Sequence, residues 1–303
     1  MVWLSAEPQI CLIVVNVNVP AVDRFTSRIY RWIGIPLSVW FIFRSRRIHP
    51  AYRMGLVRRT WLGIRIYLNT HRIPSATSYK AHLAMALKIL ETPPETPGDI
   101  VECGTWKGCT AANLSLVCEI VGRRLKVFDS FQGLPEGVEG DRQAHGYRPG
   151  DYLGTIQEVR ANLRRYGSID VCELVEGWFE DTLPTLDEPV LLAYVDVDLE
   201  ASLDTCVRHL WPLLVEEGYI FIDEYLSLDY CALFFSERWW AENFDREPPG
   251  LIGSGTGLPL GDYYVGPWEE RDDRPTQHPS GGAYTCKRFS GHWAFYPRDQ
   301  AGV

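Results

Sequence analysis

Asp99-Ile100-Val101-Glu102-Cys103-Gly104-Thr105-Trp106-Lys107-Gly108-Cys109-Thr110 reads as a short buried strand, a glycine turn and the start of a helix. The helix runs on through Ala111, Ala112, Leu114, Leu116 and Val117. Gly104 and Gly108 let backbone amides approach a ligand closely, because a Cβ there would block the turn or the contact. Glu102 puts a carboxylate at the strand's end. A dinucleotide loop has a third glycine and leaves its helix N-terminus free for pyrophosphate. Here the order is Glu102-x-Gly104-x-x-x-Gly108, and a carboxylate at that point suits a cationic ligand such as the amino group of a methionine moiety. The pattern therefore favours S-adenosylmethionine (SAM) over NAD. A strand–glycine–helix turn with no ligand is the plain alternative.

Around this stretch the chain alternates. An amphipathic helix over 77–92, ended by Pro93, Pro94 and Pro97, delivers the chain to strand 99–103. Helix 109–121, strand 125–128, a long loop, helix 154–166, strand 171–175, strand 190–197, helix 201–214, strand 219–222 and helix 229–244 follow. Repeated strand–helix units with apolar strands predict an α/β fold, a doubly wound and mostly parallel sheet covered on both faces. Ligands on such sheets bind at the carboxyl ends of the strands, so the residues just after each strand carry the functional reading.

Asp129 follows the second strand, where an acid can accept both ribose hydroxyls; capping a turn with Ser130 is the alternative. After the third strand, Gly177 gives backbone access, and Trp178 and Phe179 could wall an adenine ring or simply fill core. The fourth and fifth strands end in Asp196 and in Asp223-Glu224. Adjacent strands would bring these carboxylates together, and like charges at a cleft edge repel unless a cation sits between them. Such oxygen ligands suit Mg²⁺; caps for the following helices are the alternative use.

The 303 residues, 46% hydrophobic, suit one large domain or a domain with an extension. A net charge of −9 argues against a general nucleic-acid binder. The charge is uneven: residues 1–80 hold 12 Lys/Arg against Glu7 and Asp23, leaving 18 basic and 37 acidic residues in the remainder. Residues 21–72 combine arginine with Trp32, Trp40 and Trp61, which fits either a helical cap on the acidic body or peripheral membrane contact. Eight cysteines show no zinc spacing and read as small buried hydrophobes, so a cytoplasmic location is expected. No clean signal peptide is present, and the apolar run 33–43 is too short to span a bilayer.

Five motifs, taken together, resemble the macrocin O-methyltransferase family over about residues 74–226. They are Val101–Gly108, Phe128-Asp129-Ser130-Phe131-Gln132-Gly133-Leu134-Pro135, Gly177-Trp178-Phe179-Glu180-Asp181-Thr182-Leu183-Pro184, Asp196–Ser202 and Ile222-Asp223-Glu224-Tyr225. The resemblance implies a SAM- and Mg²⁺-dependent enzyme that methylates a hydroxyl of a sugar-like or other small natural-product acceptor. It implies metal ligation by Asp196, Asp223 and Glu224, the last a departure from the family's usual Asp. Cofactor contacts follow at Glu102, Gly104, Thr105, Trp106, Gly108, Asp129, Ser130, Phe131, Gly177, Trp178, Phe179 and Asp181, with Thr77 and Ser78 the nearest match to a threonine-containing stretch before the first strand. His145, on the loop after the second strand, is the implied base, with His278 and His292 as competitors. The chain then divides into a basic extension, 1–73, and a methyltransferase domain, 74–303, that diverges from about Leu228. A homo-oligomer is expected. The competing readings are a SAM-fold binding module without catalysis and a nicotinamide-dependent oxidoreductase.

Overall fold

The computed structural model describes residues 34–40, 42–43, 45, 47–136, 147–223, 228–251 and 283–287. Six strands form one sheet in the order β3-β2-β1-β4-β5-β6. These are β1 (Asp99–Cys103), β2 (Leu125–Asp129), β3 (Cys172–Glu176), β4 (Val190–Val195), β5 (Leu214–Ile222) and β6 (Ala283–Cys286). The first five pair in parallel and β6 runs antiparallel to β5. β1 lies between β2 and β4, so the strand order reverses there and a crevice opens at the carboxyl ends.

Alternation along the strands splits the core in two. Ile100, Leu192, Tyr194 and Phe221 face one apolar cluster, built with α2 (Leu56–Asn69), α3 (Tyr79–Glu91), α4 (Cys109–Val121) and α5 (Ile156–Tyr166). Val101, Cys103, Ala193, Val195 and Ile222 face the other, built with α7 (Glu200–Leu213) and the stretch beyond Leu228. Burial on both faces is why these strands read as continuous apolar runs. The short helix α1 (34–40) crosses α2 closely enough that a Cβ on Gly63 would press on the Ser38 backbone. Ile42, Tyr52, Leu62, Ile66 and Ile73 share the cluster of α3 and α4.

Two expected elements differ. Helix 229–244 is broken into α8 (Leu228–Ala232), a 3-10 turn at Leu233–Phe235 and α9 (Glu237–Phe244). The reason is local: Ser236 leaves the helix and caps α9 by accepting from the Trp239 amide. The antiparallel strand β6 has no counterpart in the expected order. The seven cysteines among the described residues are free thiols, all but half-buried Cys172 fully buried.

Candidate active site

The sheet register sets the site. Glu102 of β1 pairs with Tyr194 of β4, which pairs with Phe221 of β5, so all three point to one face. One row further on, the Asp196 amide donates to the Cys103 carbonyl and the Asp223 amide to that of Val195. Asp196 and Asp223 therefore stand beside each other, two residues beyond Tyr194 and Phe221. The Tyr194 hydroxyl lies 3.1 Å from Asp196 Oδ2, 2.9 Å from Asp223 Oδ1 and 2.7 Å from the Thr77 hydroxyl. Thr77 also reaches Asp196 Oδ2 at 3.3 Å.

Burial and mutual repulsion dominate the electrostatics of Asp198 and Asp223. Burial raises the Asp223 carboxyl above its ordinary range, opposed by hydrogen bonds from Tyr194 and Thr77. Asp198 is pushed up to about 7 by burial and by the Asp223 charge, against a hydrogen bond from Tyr147. Asp196 and Asp223 are hard oxygen donors held side by side, which fits a small divalent cation. Among the described residues no group of three metal-ligating side chains is assembled. Glu224, the third expected ligand, lies outside the described residues, as do His145, His278 and His292.

Glu102 is wholly buried, and neither of its carboxylate oxygens has a hydrogen-bond partner. Burial raises its pKa to about 8, against the weaker pull of the nearby Thr105 hydroxyl and Ala111 amide, neither of which is placed for a well-formed hydrogen bond. The neighbouring Thr105 hydroxyl is likewise buried without a partner. Unmatched acceptors in a core are costly unless a donor arrives. Asp129 is committed differently: its Oδ2 accepts from the Thr105 amide and its Oδ1 from the Phe131 amide, both at 2.7 Å. It ties the turn after β1 to the turn after β2, and burial still raises its pKa. Ser130 Oγ accepts from the Gln132 amide.

Gly104 has φ +80°, and a Cβ there would collide with the Asp196 carbonyl. The glycine lets β1 and β4 close up at their carboxyl ends, a reason distinct from ligand access. Gly108, φ +77°, precedes α4 and leaves only 3.0 Å for a Cβ against Val159. Four non-glycine residues at this edge also hold positive φ: Trp106 at 45°, Phe131 at 54°, Tyr152 at 58° and Asp198 at 58°. Such strain persists where the surroundings over-determine it. Trp106 meets Tyr152 edge-on at 5.6 Å, and Tyr147 meets Tyr152 at 5.7 Å, so an aromatic wall rises beside the acids. Beyond β3, Gly177 holds φ +147° and half-buried Trp178 stands at the N-cap position of the short helix α6 (Phe179–Thr182) without a side-chain cap hydrogen bond. Phe179 packs partly into the second core and Asp181 is exposed. Ser78 caps α3 by accepting from the Lys80 amide.

Sequence reasoning missed roles for Tyr194, Asp198, Tyr147 and Tyr152. Tyr194 had a usable signal, because it lies two residues before Asp196 and hence on the same face of β4.

A doubly wound sheet with this strand order and an acid-lined carboxyl edge defines the class I SAM-dependent methyltransferase fold. The solved structure of the O-methyltransferase NovP shares it, with TM-score 0.55 and 24% identity over 86% of this chain and 99% of that one. The profile of the macrocin-O-methyltransferase (TylF) family matches residues 81–246, and the chain belongs to that family. It is 35% identical over 146 residues to the 8-demethyl-8-(2,3-dimethoxy-alpha-L-rhamnosyl)-tetracenomycin-C 4'-O-methyltransferase of Streptomyces olivaceus. It is 33% identical over 145 residues to the demethyldecarbamoylnovobiocin O-methyltransferase of Streptomyces niveus. Each match covers 45% of this chain and 55% of the relative, so the chain spans about half the length of the curated relatives it matches.

Proposed function

We propose that this chain is a SAM-dependent O-methyltransferase acting on a hydroxyl of a sugar-like or related natural-product acceptor, with Mg²⁺ at Asp196, Asp223 and Glu224. The observation that carries the reading is the meeting of Asp196 and Asp223 on the Tyr194 hydroxyl, one row beyond the unpartnered carboxylate of Glu102. The sugar-directed activities named for the Streptomyces olivaceus relative support the acceptor class.

SAM supplies an electrophilic methyl on a sulfonium that leaves as a neutral thioether. Mg²⁺, when bound, supplies a Lewis acid that lowers the pKa of an acceptor hydroxyl. The chain's own part is to hold and orient. Glu102 accepts the ammonium of the methionine moiety, and the remaining lone pairs of Asp129 accept the ribose hydroxyls. Trp178, next to Gly177, offers a face to adenine. Tyr194 and Thr77 fix the two Asp carboxylates in one orientation. His145 takes the acceptor proton, since an imidazole titrates near working pH. Asp198 is a second candidate for that proton by its position beside Asp223. The described ends of the loop after β2 are clasped together by the Leu134 amide on the Asp151 carbonyl and the Gly150 amide on the Leu134 carbonyl.

Calorimetric titration with SAM, with and without Mg²⁺, tests the reading, followed by a mass search for methylated product in a fed lysate. SAM binding and Mg²⁺-dependent methylation are expected. Asp223→Asn should abolish the metal-dependent turnover, and His145→Ala should lower it by about 10²-fold or more. Product formation undiminished in chelator would overturn the metal assignment. SAM binding with no methylated product would leave a binding module instead.

A further inference from the structure

Helix α2 buries Leu62, Ile66 and Tyr67 against α3 and α4, and its other side carries large apolar residues into solvent. Leu56 is 70% exposed, Val57 79% and Trp61 60%. Exposed side chains of this size, clustered over two turns, are unusual for a surface with no partner. Arg53 and Arg58 are exposed beside them, Arg58 also donating to the Tyr52 carbonyl at 3.1 Å. Trp61 stands beside Arg65, whose guanidinium carbon lies 5.9 Å from the ring centroid. Between α2 and α4 a groove of about 180 Å³ has Leu62, Leu116 and Ile120 in its lining and Arg58 and Arg65 among its polar groups, with Glu119 the one acid.

The sequence around this face is one-sided in charge. From Arg24 through Leu90 there are thirteen Lys/Arg and no Asp or Glu. A second copy docked face to face through α2 would set arginine against arginine. A nucleic acid would answer the arginines and leave Leu56 and Val57 without a partner. An anionic bilayer answers both, with headgroup phosphates for the guanidinium groups and the interfacial layer for Trp61, Val57 and Leu56. Among the described residues no helix is long and apolar enough to cross a membrane, so the contact is one of lying on the surface. We propose that the exposed face of α2 docks this protein on an anionic lipid surface through Leu56, Val57 and Trp61, with Arg53 and Arg58 on the headgroups.

The test is co-sedimentation of the full chain with phosphatidylcholine vesicles, with and without phosphatidylserine. Binding to the anionic vesicles that weakens as salt rises is expected. The Val57→Glu/Trp61→Glu double variant should lose at least tenfold in vesicle affinity, with its Tm and SAM binding unchanged. Both side chains are exposed, so the fold should tolerate the change. Arg58→Glu is the second variant, and should weaken binding to anionic vesicles while leaving any residual binding to neutral ones alone. Equal binding to both vesicle types, or undiminished binding by the variants, would overturn the proposal. So would sedimentation velocity showing that the wild type self-associates through this face and the double variant does not.

Discussion

Glu102 and Gly104 sit two residues apart and constrain the site in opposite ways. Glu102 costs stability in the ligand-free protein, because its folded pKa of about 8 lies above the ordinary value. The sign follows from proton linkage. The penalty is absent below the unfolded pKa and grows as pH rises towards 8, where a buried, unmatched carboxylate must ionise. Glu102→Gln should therefore raise Tm, by more at pH 8 than at pH 5, in thermal melts without ligand. The same variant should bind SAM about tenfold or more weakly, since charge-assisted hydrogen bonds are worth about 1.5–3 kcal/mol. A stabilised variant with undiminished SAM affinity would refute the ammonium-binding role. Gly104 is steric. Gly122 has φ +73° with nothing within 4 Å of where a Cβ would stand, so Gly122→Ala should cost only the left-handed penalty of about 1–2 kcal/mol. Gly104→Ala meets the Asp196 carbonyl as well, and should cost clearly more in denaturant titrations while displacing Asp196 from the site.

At the scale of elements, one polar cluster joins three helices within the apolar core. His82 of α3 is fully buried, with Nε2 2.9 Å from the Thr110 hydroxyl and Nδ1 2.8 Å from the Asn113 amide, both on α4. Asn113 Oδ1 accepts from Asn69 of α2 at 2.9 Å. Since Asn113 donates, Nδ1 must be the unprotonated nitrogen and the ring neutral. Burial accordingly drops the His82 pKa to about 3. The unfolded chain then takes up the proton first, so stability falls as pH drops from about 6.5 towards 3. His82→Leu should flatten that acid limb and cost about 1–3 kcal/mol at neutral pH for each partner left unsatisfied. Denaturant titrations at pH 7 and pH 5 check both. This network was not legible in the sequence, where His82 is one polar residue in an otherwise amphipathic helix. Strands buried on both faces were legible, because burial leaves an unbroken apolar run; β1 and α4 begin and end where the pattern predicts. Asp196 and Asp223 were legible as strand ends. That they meet on Tyr194 depends on a register between β4 and β5 that local pattern does not specify. Ser236 acts as a helix cap, which a continuous amphipathic stripe from 229 to 244 hides.

For the molecule as a whole, the sheet's far edge is tied to the site through β5. β5 brings Asp223 to its place and is closed off from solvent by β6, in register from Tyr219–Cys286 to Ile222–Ala283. All four β6 residues are buried, and Tyr284 stacks on Phe221 with ring centroids 4.9 Å apart. The Lys287 ammonium fastens the strand by donating to the Trp211 carbonyl at 2.7 Å. An apolar strand with an open edge is a template for another chain. Deleting residues 283–303 should therefore do two things at once. It should lower Tm by about 5 °C or more, in line with losing one buried aromatic and a strand's pairing. It should also make aggregation rise with protein concentration on size exclusion. Lys287→Ala keeps the edge covered, so a smaller loss of Tm without aggregation is expected from it. A truncated chain that stays monodisperse and retains its Mg²⁺ response would mean that β5 holds Asp223 in place without β6, and the sheet edge would then have no part in building the site.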